Sequence, residues 1–183
     1  MRSPCGDLAS VHIIASLAEA IQIGSWQVRV LPDDAPIAPS ALVVDEEDRF
    51  RVLSAPPVIP ERSEHPIRVM TALWNFEPCD LGSIVEVHAR RWLAVVHDLD
   101  AERSLTPEVA GVALRAVLDR AGAAGFDRLA LRPWGVRHGP WPLDVSLDLL
   151  LEALLERWRS RPRRLDLRVS DSQVDAAQSR LRR

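Results

Sequence analysis

The chain has 183 residues, which is enough for one domain with a sizeable core and too few for two ordinary domains. Its composition is 47% hydrophobic and 27% charged, which is typical of a globular protein and excludes a disordered chain. The net charge of −3 provides no field that would attract nucleic acid, and all 23 basic residues are arginine, so a lysine nucleophile is excluded.

The apolar stretches of the sequence are interrupted by charges before they reach the roughly 20 residues that a membrane-spanning helix needs. The N-terminus also lacks the basic and apolar regions of a signal peptide. We therefore expect no membrane association and a cytoplasmic location. Cys5 and Cys79 lie far apart and neither has a CxxC partner, which favours reduced thiols over a disulfide or a metal site.

The first half of the chain is less regular than the second. Residues 8–23 carry an apolar stripe that predicts a helix, although an edge strand fits part of it equally well. Alternating or short apolar runs predict strands at 26–31, 41–44 and 50–53. The acidic segment 45–48 lies between the last two and is interpreted as a solvated turn.

The second half alternates strands with helices. Strands are predicted at 84–88 and 92–97, and the second is apolar enough to be buried on both faces and to belong to the sheet centre. Thr106 is a candidate N-cap, Pro107 suits the first helical position, and the apolar face of that helix continues to Ala121.

A strand at 127–131, a helix at 143–158 and a strand at 165–169 complete a β-α-β-α-β series. This order predicts a mainly parallel sheet with helices on both faces, those beginning near Thr106 and Pro142 lying on opposite faces. Ligands of such sheets bind outside the carboxyl ends of the strands, where His97, Asp98 and the segment after residue 131 are expected.

That segment, which joins a strand to a helix, is the main candidate ligand site. A glycine turn that opens a helix directs backbone N–H groups and a positive dipole end at one point, which suits phosphate or carboxylate oxygens. An equally good reading is that the glycines only reverse the chain. The candidate ligand-binding residues are Trp134, Gly135, Val136, Arg137, His138, Gly139, Trp141, His97 and Asp98.

Other constellations of chemical groups give weaker signals. The spacing of His97, Asp98, Asp100 and His138 matches no metal-binding motif, and a histidine that ends an apolar strand is usually structural. We find no cofactor motif, so neither a metal nor a cofactor is expected. No catalytic residue is assigned, because adjacent residues such as those at 63–65 do not form a triad.

The aromatic residues suggest two different roles. Trp134 and Trp141 flank the candidate loop, where they could stack on a base or a sugar, or form a buried loop hinge or a protein-binding patch. Trp26, Trp92 and Trp158 fall on strand or helix faces and are expected in the core. The role of Trp74 is left open.

Together these features resemble a divergent member of the macrodomain family, whose members are ADP-ribose-binding, Appr-1-p processing-like α/β/α proteins. Val95-Val96-His97 is similar to the family's Val-Ile-His-like strand end. The run 135–142 keeps two glycines and the final proline of the family's Gly-Thr-Gly-x-Gly-Gly-x-Pro-like loop, and 40–43 is similar to its "DAIV" entry. The resemblance implies a three-layer α/β/α fold with a mixed, largely parallel sheet over residues 26–170, preceded by an N-terminal extension, 1–25, and followed by a polar tail, 171–183.

The sequence also departs from the family pattern. Val44-Asp45-Glu46-Glu47 stands where the family has an Asn-Ala-Ala-Asn-like motif near the distal ribose, and Arg137 stands where a glycine lets the backbone approach phosphate. Arg137 could compensate by pairing with phosphate directly. We therefore predict binding of ADP-ribose or a related nucleotide or phosphate ligand without typical hydrolase activity.

The alternative is a macrodomain-like interaction or regulatory module with a vestigial pocket. Such a module would use Trp74, Trp141 or the acidic segment 45–48 against a protein partner. The acidic segment and the missing asparagine favour this alternative, whereas the retained loop length and Pro142 favour ligand binding.

Overall fold

The computed structural model describes residues 19–49, 78–98, 101, 104–156 and 163–183. The predicted strand 50–53, the triad-like run 63–65, Trp74, Asp100 and Trp158 lie outside these residues, as do the first 18 positions. The described part forms one seven-stranded sheet with three α-helices. The strands are β1 (Ile21–Ile23), β2 (Trp26–Pro32), β3 (Leu42–Asp48), β4 (Ile84–His88), β5 (Arg91–His97), β6 (Arg128–Leu131) and β7 (Arg164–Val169). The helices are α1 (Pro107–Ala123), α2 (Leu143–Glu156) and α3 (Val174–Leu181), the last preceded by a 3-10 turn, Asp171–Gln173.

The strand order is β1-β2-β7-β6-β3-β5-β4. The five inner strands run parallel, and β1 and β4 pair antiparallel at the two edges. The predicted mixed, largely parallel α/β fold is therefore confirmed. The prediction that residues 92–97 lie at the sheet centre is wrong, because β5 is second from the edge; its residues 92–97 are nevertheless buried.

The helices α1 and α2 pack against each other on one face of the sheet, which corrects the expectation that they cover opposite faces. The chain steps from β5 over β3 to β6 and then to β7, in the same direction both times. Crossovers of one hand that step in one direction place their helices on the same face. The buried surface beneath these two helices includes Trp26, Val30, Trp92, Leu131 and Leu167.

The acidic segment is part of a strand and is not a solvated turn. β3 continues through Asp45, Glu46 and Glu47 to Asp48, and it pairs with β5 over this length. Alternation along the strand places Val44 and Glu46 on one face and Asp45 and Glu47 on the other. The carboxylates of this segment are thereby directed to two different environments.

The remaining boundaries also differ from the prediction in detail. Helix α1 begins as predicted, with the Thr106 side chain accepting a hydrogen bond from the Val109 N–H. Part of the predicted 1–25 extension, β1, is an edge strand of the sheet. The polar tail contains α3, which buries Ala177 and Leu181 against α2 and the first two strands, so the tail is docked.

Candidate functional site

The segment between β6 and α2, residues 132–142, is referred to as the Gly135 loop. Gly135 has φ +77°, a conformation that L side chains rarely adopt. A Cβ on Gly135 would lie 2.7 Å from Leu105 Cδ2 and 2.8 Å from Trp141 Cε3. The Trp141 N–H donates a 3.1 Å hydrogen bond to the Gly135 carbonyl. Only glycine fits here, whether or not a ligand binds.

Gly139 closes the same loop from its other end. A Cβ at this position would lie 2.8 Å from the Gly135 carbonyl oxygen. The two glycines that drew attention to the loop therefore contact each other. Chain reversal alone therefore explains why both positions are glycine. Evidence for a ligand site has to come from other residues.

The carboxylate of Glu46 links β3, β5 and the Gly135 loop. Glu46 Oε2 accepts a 2.7 Å hydrogen bond from the Gly135 N–H and lies 2.9 Å from His97 Nε2. The side chains of Glu46 and His97 are only 6% and 4% exposed. The Glu46 carboxylate is thus an anion, supplied by the chain itself, that already occupies the backbone N–H of the loop.

Within the described residues, one of the two ring nitrogens of His97 is paired. Because a carboxylate oxygen only accepts, Nε2 carries the hydrogen shared with Glu46. Nδ1 is buried and has no hydrogen-bond partner among those residues. In the neutral ring this nitrogen is a free acceptor.

A polar cavity of about 240 Å³ opens at the carboxyl edge of the sheet, beside the Gly135 loop. We call it the edge cavity. It is lined by Asp45, Glu46, Glu47, Arg91, Leu93, Arg132, Arg137 and His138. Its wall therefore contains three guanidinium groups and three carboxylates.

Two of the three arginines in the edge cavity are already paired. Arg91 donates to Asp45 Oδ2 at 3.0 Å, and Arg132 contacts Asp45 Oδ1 at 3.4 Å and Asp33 at 2.8 Å. Arg137 is exposed, and within the described ranges no carboxylate pairs with it. It is the cation of this wall with capacity for an incoming anion.

A second, open depression of about 900 Å³ lies on the other side of His138. It is bounded by the start of α1, residues 104–108, and by residues 138–141 of the loop. Trp141 lines it and is half-buried, since part of its ring covers Gly135.

The predicted site residues separate into two groups. Gly135, Val136, Arg137, His138, Gly139 and Trp141 share the loop, and His97 is connected to it through Glu46. Trp134 belongs to the core and is 3% exposed, so its ring is not accessible for stacking. Asp98 accepts a 2.9 Å ion-pair hydrogen bond from Arg49, which engages its carboxylate.

Sequence reasoning missed Glu46, Arg91 and Arg132 as members of the site. The alternation of β3 carries the signal for Glu46, because it is two residues beyond Val44 and therefore shares the buried face. The sequence gives no signal for Arg91 and Arg132, because ion pairs with Asp45, which lies on a different strand (β3), place both of them in the site.

Within the described part of the chain, no group of three or more His, Cys, Asp or Glu side chains is placed to hold a metal ion. Its helices include none that is long and apolar enough to cross a membrane.

Comparison with solved structures shows that the chain has a macrodomain-like fold. The Oceanobacillus iheyensis macrodomain with ADP matches with a TM-score of 0.63 at 11% identity, over 88% of this chain and 93% of that chain. The Trypanosoma brucei macrodomain in complex with ADP-ribose matches at 0.51 and 13% identity, over 83% and 68%. The macrodomain of Thermus aquaticus DarG matches at 0.51 and 16% identity, over 78% and 97%. No protein-family model and no curated protein sequence matches the chain.

Proposed function

We propose that this protein binds ADP-ribose or a related phosphorylated nucleotide in the edge cavity and has no typical ADP-ribosyl hydrolase activity. The observation that carries the proposal is Arg137, an exposed guanidinium with no ion-pair partner in the described part of the chain, in the wall of a cavity at the carboxyl edge of a macrodomain-like sheet. Two of the similar macrodomain structures contain ADP or ADP-ribose, which supports this ligand class.

In this proposal Arg137 pairs with phosphate oxygens, and the backbone of residues 136–139 lies beside them. A guanidinium presents several donors in one plane, which matches phosphate geometry. His138 borders both the edge cavity and the open depression, so a ligand that extends from one to the other passes this ring. The exposed part of Trp141 is available for contact with a base or sugar.

The absence of typical hydrolase activity follows from the engagement of the nearby carboxylates. Asp45 is held by Arg91 and Arg132, and Glu46 by the Gly135 N–H and His97. A general base has to be free to accept a proton from water. No asparagine stands in this stretch to order a ribose.

A second candidate function is a protein-interaction module with a vestigial pocket. The contact between Glu46 and the Gly135 N–H favours it, because the backbone donor that would receive a phosphate is already occupied. Trp141 and the acidic segment would then face a protein partner. Trp74, which we also considered for this role, lies outside the described residues.

Isothermal titration calorimetry with ADP-ribose, ADP, AMP and adenosine distinguishes the two candidates. We expect saturable binding of the phosphorylated ligands, and a loss of about 1.5–3 kcal/mol for Arg137→Ala, the range for hydrogen bonds to charged groups. A thermal-shift screen that adds divalent cations provides an independent check, since a ligand that binds only the folded state must stabilise it.

Arg164→Ala is the matched control for Arg137→Ala. Arg164 is also exposed, but it begins a parallel strand and so lies at the opposite edge of the sheet from the loop. Its removal changes the net charge equally and should leave affinity unchanged. If no phosphorylated ligand binds the unmodified protein, the interaction module becomes the better account.

A further inference from the structure

Glu46 occupies the position that an anion takes in a strand-to-helix loop. Its Oε2 accepts the Gly135 N–H at 2.7 Å, and the same oxygen lies 2.9 Å from His97 Nε2. The backbone of Gly135 is itself fixed, because Leu105 and Trp141 pack closely around its Cα. The donor and the carboxylate therefore meet in a rigid setting.

This contact leaves the Gly135 N–H without capacity for a ligand. A backbone amide has one hydrogen, and here it is directed at Glu46 Oε2. Glu46 also contributes to the wall of the edge cavity. A phosphate that approached this N–H would meet a negative charge in a buried, low-dielectric setting, where repulsion is stronger than in water.

We infer that Glu46 is an internal competitor for anions that makes the edge cavity discriminate against multiply charged phosphates. The inference rests on the proposed binding function and adds to it a residue that determines ligand charge. A ligand has two routes: it displaces the Glu46 side chain, or it binds through Arg137 alone. Both routes cost more as the ligand's charge near Glu46 increases, so a diphosphate is penalised more than a monophosphate.

His97 Nδ1 supports a role beyond packing for this pair. A buried nitrogen without a partner is costly, and a carboxylate–imidazole contact retained only for stability would be expected to pair both ends. Among the described residues the ring is therefore held by Glu46 alone, so displacement of the carboxylate would break the Gly135 N–H and His97 Nε2 hydrogen bonds together.

Glu46→Gln is the variant that tests this inference. Glutamine has the same length, and its carbonyl oxygen, placed where Oε2 lies, can still accept both the Gly135 N–H and the His97 Nε2–H. The fold should therefore persist, which circular dichroism and thermal unfolding verify. Glu152→Gln, at an exposed position of α2, is the control that makes the same chemical change away from the cavity.

Affinities for AMP and ADP-ribose are measured by calorimetry for the unmodified protein and both variants. We expect Glu46→Gln to bind ADP-ribose about tenfold more tightly or better, and AMP with a smaller gain, because the repulsion that is removed scales with ligand charge. Glu152→Gln should match the unmodified protein. The gain should diminish at high salt.

The possible results separate this inference from the proposed function. Binding by the unmodified protein with no gain for Glu46→Gln, or with equal gains for the two ligands, would overturn the inference and leave the function in place. Binding of AMP by the unmodified protein, with ADP-ribose bound only by Glu46→Gln, would support the inference and narrow the proposed function to a monophosphate ligand. Failure of every form to bind either ligand would overturn both. If Glu46→Gln does not fold, Glu46→Asn replaces it, since this neutral, shorter side chain removes the charge, frees the Gly135 N–H and should still raise affinity for ADP-ribose.

Discussion

Arg29 on β2 and Asp166 on β7 lie directly opposite each other in two parallel strands and form a 2.8 Å ion pair. Arg128 reaches the same carboxylate from β6 at 2.9 Å. Asp166 is 3% exposed, so its charge is buried. The strand β7 that carries it lies between β2 and β6, and each of these neighbours contributes one guanidinium group. This cluster lies on the face of the sheet opposite to α1 and α2, because Leu165 and Leu167 on either side of Asp166 belong to the core beneath those two helices.

We predict that Asp166→Ala lowers the free energy of unfolding by about 3 kcal/mol, since its removal leaves two partly buried guanidinium groups, 31% and 17% exposed, without their shared carboxylate. Denaturant titration followed by circular dichroism measures the change. Glu156→Gln provides the comparison, because the contact of Glu156 with Arg115 is 3.6 Å long and exposed. Its loss should cost about 0–1 kcal/mol. Equal effects for the two variants would show that Asp166 is not a central support.

A comparison of Gly135 with Gly125 separates the cost of close packing from the cost of backbone strain. Both have positive φ, +77° and +81°, but nothing lies within 4 Å of a Cβ at Gly125. We expect Gly125→Ala to cost about 1–2 kcal/mol from the left-handed conformation alone. Gly135→Ala should cost a further 1–3 kcal/mol, roughly, from overpacking against Leu105 and Trp141. Similar unfolding free energies for the two variants would contradict the close packing of the loop.

Burial raises the pKa of the Cys79 thiol; the charge of Asp80 adds to this, and Arg49 opposes it. Because the folded thiol holds its proton longer than the unfolded one, stability should fall as the pH rises above about 8.5, where the unfolded thiol ionises. Below that pH the group makes no difference. Unfolding titrations at pH 7 and pH 10 should show a larger decrease in the Cys5→Ser variant than in one that also carries Cys79→Ala.

Incubation with mono-ADP-ribosylated protein or with ADP-ribose esters should release no ADP-ribose above background. Asp45 and Glu46 are engaged as described, and Glu47 Oε1 accepts the Asp48 N–H at 3.1 Å. Chromatographic detection of free ADP-ribose provides the measurement. Release that Asp45→Ala or Glu47→Ala abolishes would show that β3 supplies a catalytic carboxylate after all.

Local patterns in the sequence were sufficient to predict most of the second half of the fold. The Thr106 cap, the helical spacing after residue 142 and the alternation of the later strands each depend on neighbouring residues, and they appear in the structure close to the predicted positions. The placement of α1 and α2 on one face was mispredicted, because it depends on the order of strands in the sheet, which no local pattern encodes.

The acidic segment shows why the site was harder to predict than the fold. Four successive carboxylates are typical of a solvated turn, and the strand assignment requires partners from other strands, such as Arg91 for Asp45 and His97 for Glu46. These partners are 46 and 51 residues away in sequence. Long-range charge pairing overrode the local preference. The sequence left Trp134 open between base stacking and a buried hinge for a related reason, since whether a loop aromatic turns inward depends on the helices that cover it.

The central position of β3 has a consequence for the order in which the molecule assembles. Its neighbours on both sides come from much later in the chain, β5 from residues 91–97 and β6 from 128–131. Contacts between distant segments require long loops to close, so they form late and slowly compared with hairpins and helices. We therefore expect the β4–β5 hairpin to pair before β3 joins the sheet. The insertion of β3 is the step that brings Glu46 to the Gly135 N–H, so formation of the central strand and occupation of the anion position are one event.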